Sequence, residues 1–598
     1  MSEPITPQHA VTLAGLFRER ARRSASRVAY RQYEDERWVD VTWQEVARTV
    51  ARWQAALLAE GLTKGDRVAL MLRNRREWSV ADQAALGLGL VTVPLYNDDR
   101  PDSLAWILND AGVKLLFIDG RMQWRRLREV MSGLDGLMRV VSLQALEDDG
   151  GIDARMRSLD DWLAAAGPLA EPPLVSIGAD SLATLIYTSG TTGRPKGVML
   201  THANLLENAH ACSLCGSFGE DDLFLSFLPL SHALERSAGL YLPMLVGAPV
   251  AYARSIPQLA EDLATLKPTV LISVPRIYEK VYARIHAGLR QKSPLARWLF
   301  LAAVEVGWRR FEHAQGRAAW HPKLLAWPLL RRLVADKVLS RLGGRLRYAV
   351  SGGAALAPEV ARLFIGLGLP LYQGYGMTEA SPTVSVNRPE DNLPASIGHP
   401  LPGVEVRIGA DDELLTRSRC VMRGYWNDPA TTRAIDAEGW LHTGDKARMD
   451  ADGRLYITGR IKDIIVLSNG EKMPPADMEM AIGLDPLIEQ VMVLGEGRPF
   501  LVALVVLNAE VWELFARELG VDAADQAVLN DRRVERAVLE RMRQRLRGFP
   551  RHAQIRRVLL SLEPWTVDDD LLTPTMKMKR ALIRERFQTR IAALYDGL

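Results

Sequence analysis

The densest chemistry in the chain lies in eleven residues, Tyr187-Thr-Ser-Gly-Thr-Thr-Gly-Arg-Pro-Lys-Gly197. Gly190 and Gly193 let backbone N–H groups approach a ligand closely. The hydroxyls of Thr188, Ser189, Thr191 and Thr192 can bind phosphate oxygens, and Lys196 adds a positive point charge. A concave row of donors of this kind suits a polyphosphate. The spacing is not that of a P-loop, where Gly-Lys-Ser/Thr opens a helix; here Pro195 precedes the lysine and Gly197 follows it. The competing reading is a purely structural Ser/Thr/Gly turn.

Other stretches carry weaker signals. Ser351-Gly-Gly-Ala-Ala355 and Gln373-Gly-Tyr-Gly-Met-Thr-Glu379 combine small residues, which permit flat stacking, with the ring face of Tyr375. On their own they read as strand-end turns. Glu379 offers the oxygen ligand that Mg²⁺ prefers, or a helix-start carboxylate beside Thr378. Thr443-Gly-Asp445 reads alone as an ordinary turn. Lys577 and Lys579 are both cations near neutral pH, and at this spacing they would share one face of a strand. His232, in Pro-Leu-Ser-His, is either a pocket residue or a satisfied loop histidine.

The elements that must position these residues follow an α/β grammar. Short β-rich runs at 67–71, 114–118, 184–187, 268–274 and 347–350 alternate with helical patterns, which predicts parallel sheets with helices on both faces. From about residue 398 to 460 short strands and turns predict a small β unit (404–408, 413–416, 439–441, 454–458). A fresh α/β segment then runs to the C-terminus, and we place the domain boundary so that 1–461 and 462–598 are separate units.

The 598 residues are 48% hydrophobic and 25% charged, ordinary for globular protein, and a net charge of +3 gives no call for nucleic acid. Three cysteines, Cys212, Cys215 and Cys420, argue against a disulfide framework. Cys212 and Cys215 read as small apolar residues on a buried helix. No apolar stretch of signal-peptide length precedes Arg18, and the longest uncharged run, 237–253, is too short to span a bilayer. The expectation is a cytoplasmic protein. Segment 284–347 stands apart, with fourteen Lys/Arg against three acidic residues and four tryptophans. It predicts either contact with the anionic inner face of a membrane or a solvated helical face whose tryptophans pack inward.

Taken together, these motifs and Trp440-Leu-His-Thr-Gly-Asp445, Gly459-Arg-Ile-Lys-Asp463 and Leu572-Thr-Pro-Thr-Met-Lys577, all in the family's order, resemble the adenylate-forming (AMP-binding) superfamily. Leu228-Pro-Leu-Ser-His-Ala-Leu-Glu-Arg236 and Leu572–Arg580 are most similar to the long-chain fatty acyl-CoA synthetases. The resemblance implies a large α/β N-terminal domain with a β-barrel-like unit, and a smaller mobile C-terminal domain. It implies ATP, Mg²⁺ and CoA, with a long-chain fatty acid converted to acyl-adenylate and then to acyl-CoA.

Residue by residue, the resemblance implies that Thr188, Ser189, Gly190, Thr191, Thr192, Gly193 and Lys196 hold phosphates. Gly353, Ala354, Ala355 and Gln373, Gly374, Tyr375, Gly376, Met377, Thr378 frame adenine. Glu379 with Thr188 holds Mg²⁺, Asp445 takes the ribose hydroxyls, and Arg460 contacts ribose or phosphate. Lys577 serves adenylation, with Lys579 as the alternative because Met576 stands where the family commonly has Gly. Lys462 is the hinge, and His232 and Gly353 border the acyl pocket. Phe227, Leu228, 238–242, Val274 and Gly352 are further candidates for its lining, and 468–470 is a candidate CoA contact. A homodimer is also carried as an expectation. Ser418 and Arg419 replace the family's usual Gly-Pro.

Overall fold

A computed structural model describes residues 3–145, 153–167, 175–188, 194–550 and 553–596. Two large sheets form the N-terminal part. In the first, parallel strands Arg67–Met71, Val91–Pro94, Val113–Ile118, Arg139–Ser142 and Met156–Ser158 lie beside Leu182–Thr188, which turns back antiparallel into Lys196–Thr201. In the second, Phe224–Ser226, Val250–Tyr252, Val270–Ser273, Tyr348–Ser351 and Leu371–Gly376 run parallel, with Thr383–Val386 added antiparallel.

Alternation along the strands explains the layering, because successive side chains point to opposite faces. Val68, Leu70, Leu115 and Phe117 enter a central core, while Ala69, Met71, Leu116 and Ile118 enter an outer one. The second sheet sends Phe224, Val270 and Ile272 into the same central core and Leu225, Leu271 and Ala349 into another outer one. Helices Trp43–Ala59, Arg76–Gly87 and His202–Ser213 fill the shared layer. Strands covered on both faces read as continuous apolar runs, and these do.

A fully buried ion pair, Arg236 with Asp82, joins the elements inside this layer. Arg236 also donates to Tyr241, Thr184 and Thr92 at 2.8 Å each. Thr184 belongs to the strand that leads into the phosphate-type loop, so the network fixes that strand against the segment carrying His232.

The small β unit is a four-stranded antiparallel sheet, Glu405–Ile408, Glu413–Arg417, Leu441–Met449 and Leu455–Arg460. Gly424–Tyr425 departs from it and pairs with Lys196–Thr201 of the first sheet. Beyond it, hairpin strands Ile465–Val466 and Lys472–Met473 precede a three-stranded sheet of Ile488–Leu494, Leu501–Leu507 and Ile555–Ser561 with its own core. Met480 and Leu484 of this C-terminal part pack onto the outer core of the second large sheet.

Segment 284–347 resolves into helices Pro275–Arg290, Pro294–Ala314, Trp327–Leu330 and Asp336–Leu339 with short connecting turns. The tryptophans divide between the interior and the surface. Trp327 is buried and Trp308 packs against Phe311, whereas Trp298 is 63% and Trp320 56% exposed. Leu295, Leu301, Leu325, Leu329 and Leu333 are exposed as well. Among the described residues, no helix is long and apolar enough to cross a membrane.

Candidate active site

One cavity of about 1450 Å³ lies where the carboxyl ends of the second sheet's parallel strands meet the β unit and the C-terminal part. Ligands bind beyond the carboxyl ends of such strands because the loops there converge. The volume exceeds the roughly 300–1,000 Å³ of ordinary small-molecule pockets. The described candidates for nucleotide, metal, adenylation and hinge roles line it: Thr188, Lys196, His232, Gly353, Ala354, Ala355, the run Gln373 to Glu379, Asp445, Arg460, Lys462 and Lys577; the candidate CoA contact, Ser468, Asn469 and Gly470, does not. Ser189, Gly190, Thr191, Thr192 and Gly193 lie outside the described residues.

Strand Leu371–Gly376 brings Tyr375 to the rim, where its hydroxyl donates to Asp445 Oδ2 at 2.6 Å. Arg460 Nε donates to the other carboxylate oxygen at 2.9 Å. Asp445 and Arg460 face each other because Leu441–Met449 and Leu455–Arg460 pair antiparallel in that register. Gly376 is required here: a Cβ would sit 2.2 Å from the Pro382 carbonyl oxygen. Gly353, at φ +79°, turns the neighbouring loop through a conformation that side chains disfavour. Gln373 is turned inward; its Oε1 accepts from Leu356 N at 2.6 Å and its Nε2 donates to Ser396 O at 3.2 Å, so its side chain shapes the loop.

Glu379 sits in a short turn, Thr378–Ala380, and accepts from the Tyr425 hydroxyl at 2.9 Å. Lys196 lies 3.2 Å from Asp428 and 5.6 Å from the Tyr425 ring centre. Trp106 Nε1 donates to Pro195 O at 3.2 Å, and Arg194 stacks over the Trp106 ring at 4.6 Å. Tyr425, Asp428 and Trp106 were not singled out from the sequence. Their partners lie 46, 232 and 89 positions away, and no local pattern marks such contacts.

Lys577 projects from a tight hairpin. Thr573 O accepts from Met576 N, Leu572 bridges Met578, and Met576 takes φ 62°. Although Lys577 retains accessible surface, it lines the cavity, so that surface faces the cleft. Burial, then the Arg460 charge, lowers its pKa against the opposing pull of Asp445 and Glu379. Lys579 is instead ion-paired with Asp570.

His232 is pushed down to about 4 by burial and by Lys577, so it is neutral near pH 7. Its Nδ1 accepts from Leu234 N at 3.2 Å, which leaves the ring proton on Nε2. The same cavity has an apolar set in its wall, Phe218, Phe224, Ala238, Leu242, Ile272 and Tyr348. Of the lining expected from sequence, Ala238, Leu242, Gly352 and Gly353 are there. Phe227 instead packs in the outer core and Leu240 and Tyr241 in the central one, and Leu228, Gly239 and Val274 are not among the wall residues. Cys212 and Cys215 belong to the wall rather than to plain core, and burial raises both thiols. Glu479 forms a two-pronged ion pair with Arg580 at 2.7 and 2.9 Å, a tie within the C-terminal part.

Comparison with known proteins agrees with this arrangement. The family model described as AMP-binding enzyme matches residues 17–426, and the one described as AMP-binding enzyme C-terminal domain matches 462–598. The long-chain-fatty-acid–CoA ligase FadD15 of Mycobacterium bovis is 33% identical, over 99% of this chain and 98% of that protein. Peroxisomal long chain acyl-CoA synthetase 6 of Arabidopsis thaliana is 34% identical, over 94% of this chain and 82% of that protein. Among solved structures, the adenylation domain of a carboxylate reductase from Mycobacterium chelonae shares the fold, with TM-score 0.78, 23% identity and coverage of 98% and 91%. By these matches, the chain belongs to the AMP-binding enzyme family.

Proposed function

We propose that the chain is an ATP-dependent long-chain fatty acid–CoA ligase. The observation that carries this is one cavity whose wall holds both a polar set, Asp445, Arg460 and Glu379, and an apolar set, Phe218, Phe224 and Tyr348, together with His232, Gly353 and Lys577. On this reading the apolar set is one end, and these last three are the junction with the polar one. A fatty acid laid in the apolar end presents its carboxylate at that junction.

In the first half-reaction a carboxylate oxygen attacks the α-phosphorus of ATP, the bond from that phosphorus to the bridging oxygen breaks, and pyrophosphate leaves. In the second, the CoA sulfur attacks the acyl carbon, the bond to AMP breaks, and the thiol proton passes to solvent. Lys577 stabilises the charge developing around the α-phosphate. Asp445 accepts from the ribose hydroxyls, Arg460 orients it, and Thr188, Lys196 and the adjoining loop bind phosphates. The neutral His232 offers Nε2–H as a donor beside the carboxylate. Rotation about Lys462 separates the half-reactions, with 1–461 held still and 462–598 moving.

Mg²⁺ binds one or two carboxylates together with phosphate oxygens and water. Glu379 and Thr188 fit that donor set and would hold it, neutralising phosphate charge.

The chain also docks on membrane, on this reading. Trp298, Trp320, Leu295, Leu325 and Leu329 form an exposed apolar set among exposed Lys292, Arg297, Lys323, Arg331 and Arg332, which suits an anionic, cytoplasm-facing surface. Among the described residues, none in 284–347 lines the cavity, so the proposed membrane face is separate from the cavity wall. The functional reading is tested by mass-spectrometric detection of palmitoyl-CoA from palmitate, ATP and CoA. Absence of the thioester with intact, folded protein would refute it.

A further inference from the structure

The hairpin that carries Lys577 is continuous with a stiff turn. Thr566 O accepts from Leu571 N at 3.2 Å and Leu572 N at 2.9 Å, Asp569 N donates to Thr566 Oγ1 at 3.1 Å, and Lys579 N donates to Leu571 O at 2.9 Å. Displacing this turn displaces Lys577. The turn bears three consecutive aspartates, Asp568, Asp569 and Asp570. Asp568 meets the N-terminal part at the arginine-dense short helix Arg121–Arg128, which holds Arg121, Arg125, Arg126 and Arg128, and Asp570 meets it at Arg100.

Two contacts cross the boundary. Arg126 Nη1 lies 3.6 Å from Asp568 Oδ1, and Arg100 Nη1 lies 3.7 Å from Asp570 Oδ1. Both arginines are pre-set on their own side. Arg126 donates to the carbonyls of Asp98 and Asp99 at 3.2 Å each, and Arg100 grips Asp102 at 3.1 and 3.3 Å. An arginine already held in place loses little side-chain freedom on meeting an anion.

We infer that Arg126 and Asp568, with Arg100 and Asp570, form an electrostatic clasp that positions Lys577 over the nucleotide end of the cavity and so favours the first half-reaction over the second. This rests on the two-step reading above. Arg126 and Asp568 are positioning residues that do not line the cavity, whereas Arg100 and Asp570 stand in its wall, which ties the clasp to the site. Their pairs are open to solvent, where single ion pairs are weak and screened by salt. A weak clasp is what a turnover requiring release can use.

The test compares Asp568→Lys with Asp569→Lys. Both make the same charge change in adjacent exposed residues, but only Asp568 meets Arg126. Fatty-acid-dependent ATP–pyrophosphate exchange is expected to fall about two- to fivefold in Asp568→Lys relative to Asp569→Lys. Thioester formation from supplied acyl-adenylate and CoA should stay level or rise. Adding Arg126→Glu to Asp568→Lys should restore exchange. Equal effects of the two lysine variants, or equal loss in both half-reactions, would overturn the clasp. Hydrogen exchange of 121–128 and 566–579 gives a readout independent of activity: Asp568→Lys should deprotect both segments and Asp569→Lys neither. An inactive wild-type protein would sink the functional reading, while that exchange comparison would still decide the clasp.

Discussion

Tyr375 and Asp445 meet at 2.6 Å across the junction between the second large sheet and the small β unit. The phenol donates, and Asp445 keeps its remaining lone pairs for a diol. Burial, then the Asp445 charge, raises the Tyr375 pKa well above its ordinary value, so the hydroxyl stays a donor throughout the physiological range. Removing it in Tyr375→Phe is expected to raise KM for ATP by about tenfold or more, the low end of the ~1.5–3 kcal/mol of one hydrogen bond to a charged group, with a smaller effect on kcat. Asp445→Ala should cost more in the same direction. Steady-state kinetics in ATP checks both.

Lys577 rather than Lys579 should carry the first half-reaction. Lys577→Ala is expected to lower pyrophosphate exchange by about 10²–10³, the size of losing one aligned charge donor. Thioester formation from supplied adenylate should persist. Lys579→Ala should have a smaller effect, through its pair with Asp570.

A pH profile follows from the lowered Lys577 pKa. The protonated form is the active one, so kcat/KM for the first half-reaction should fall as pH rises, with its midpoint below the ~10.4 of an ordinary lysine. Bound ATP adds negative charge beside the lysine. The limb in kcat should therefore lie at higher pH than the limb in kcat/KM. Lys577→Arg should move the limb upward or abolish it.

Met576 holds φ 62° at the hairpin position preceding Lys577. A non-glycine residue there costs roughly 1–2 kcal/mol, and Met576 is half exposed, so little packing offsets the strain. Met576→Gly is expected to relieve the strain, less the entropy glycine adds to the unfolded chain. The net gain is about 0.5–1 kcal/mol, read as a higher unfolding midpoint of the C-terminal part in denaturant. Met576→Val should lower that midpoint and slow adenylation together.

For the basic face, co-sedimentation with vesicles containing phosphatidylserine should be strong at low salt and weaken as salt rises. Trp298→Ser with Trp320→Ser should reduce binding without changing turnover on detergent-dispersed substrate. Equal binding of the double variant would move the contact elsewhere.

Much of the site was legible because its loops are local. The runs 351–355 and 373–379 are short stretches of small and polar residues at strand ends, and a parallel sheet gathers such ends on one edge. The strand expected at 439–441 extends as Leu441–Met449 instead. Thr443-Gly-Asp445 reads as a turn, yet Gly444 at φ +71° lies beside register shifts that let the strand bend and continue. The apolar wall was only half legible. Phe218, Ile272, Tyr348 and Tyr372 come from separated segments, and each alone looks like core. The two tryptophans that point outward were indistinguishable by composition from the two that point inward.

The central claim is tested most directly by measuring AMP and pyrophosphate release across fatty acids from C2 to C20, with and without CoA. AMP release that requires CoA together with a chain of about twelve carbons or more is the expected result. Pyrophosphate formed without CoA-dependent turnover, or turnover confined to short chains, would contradict it.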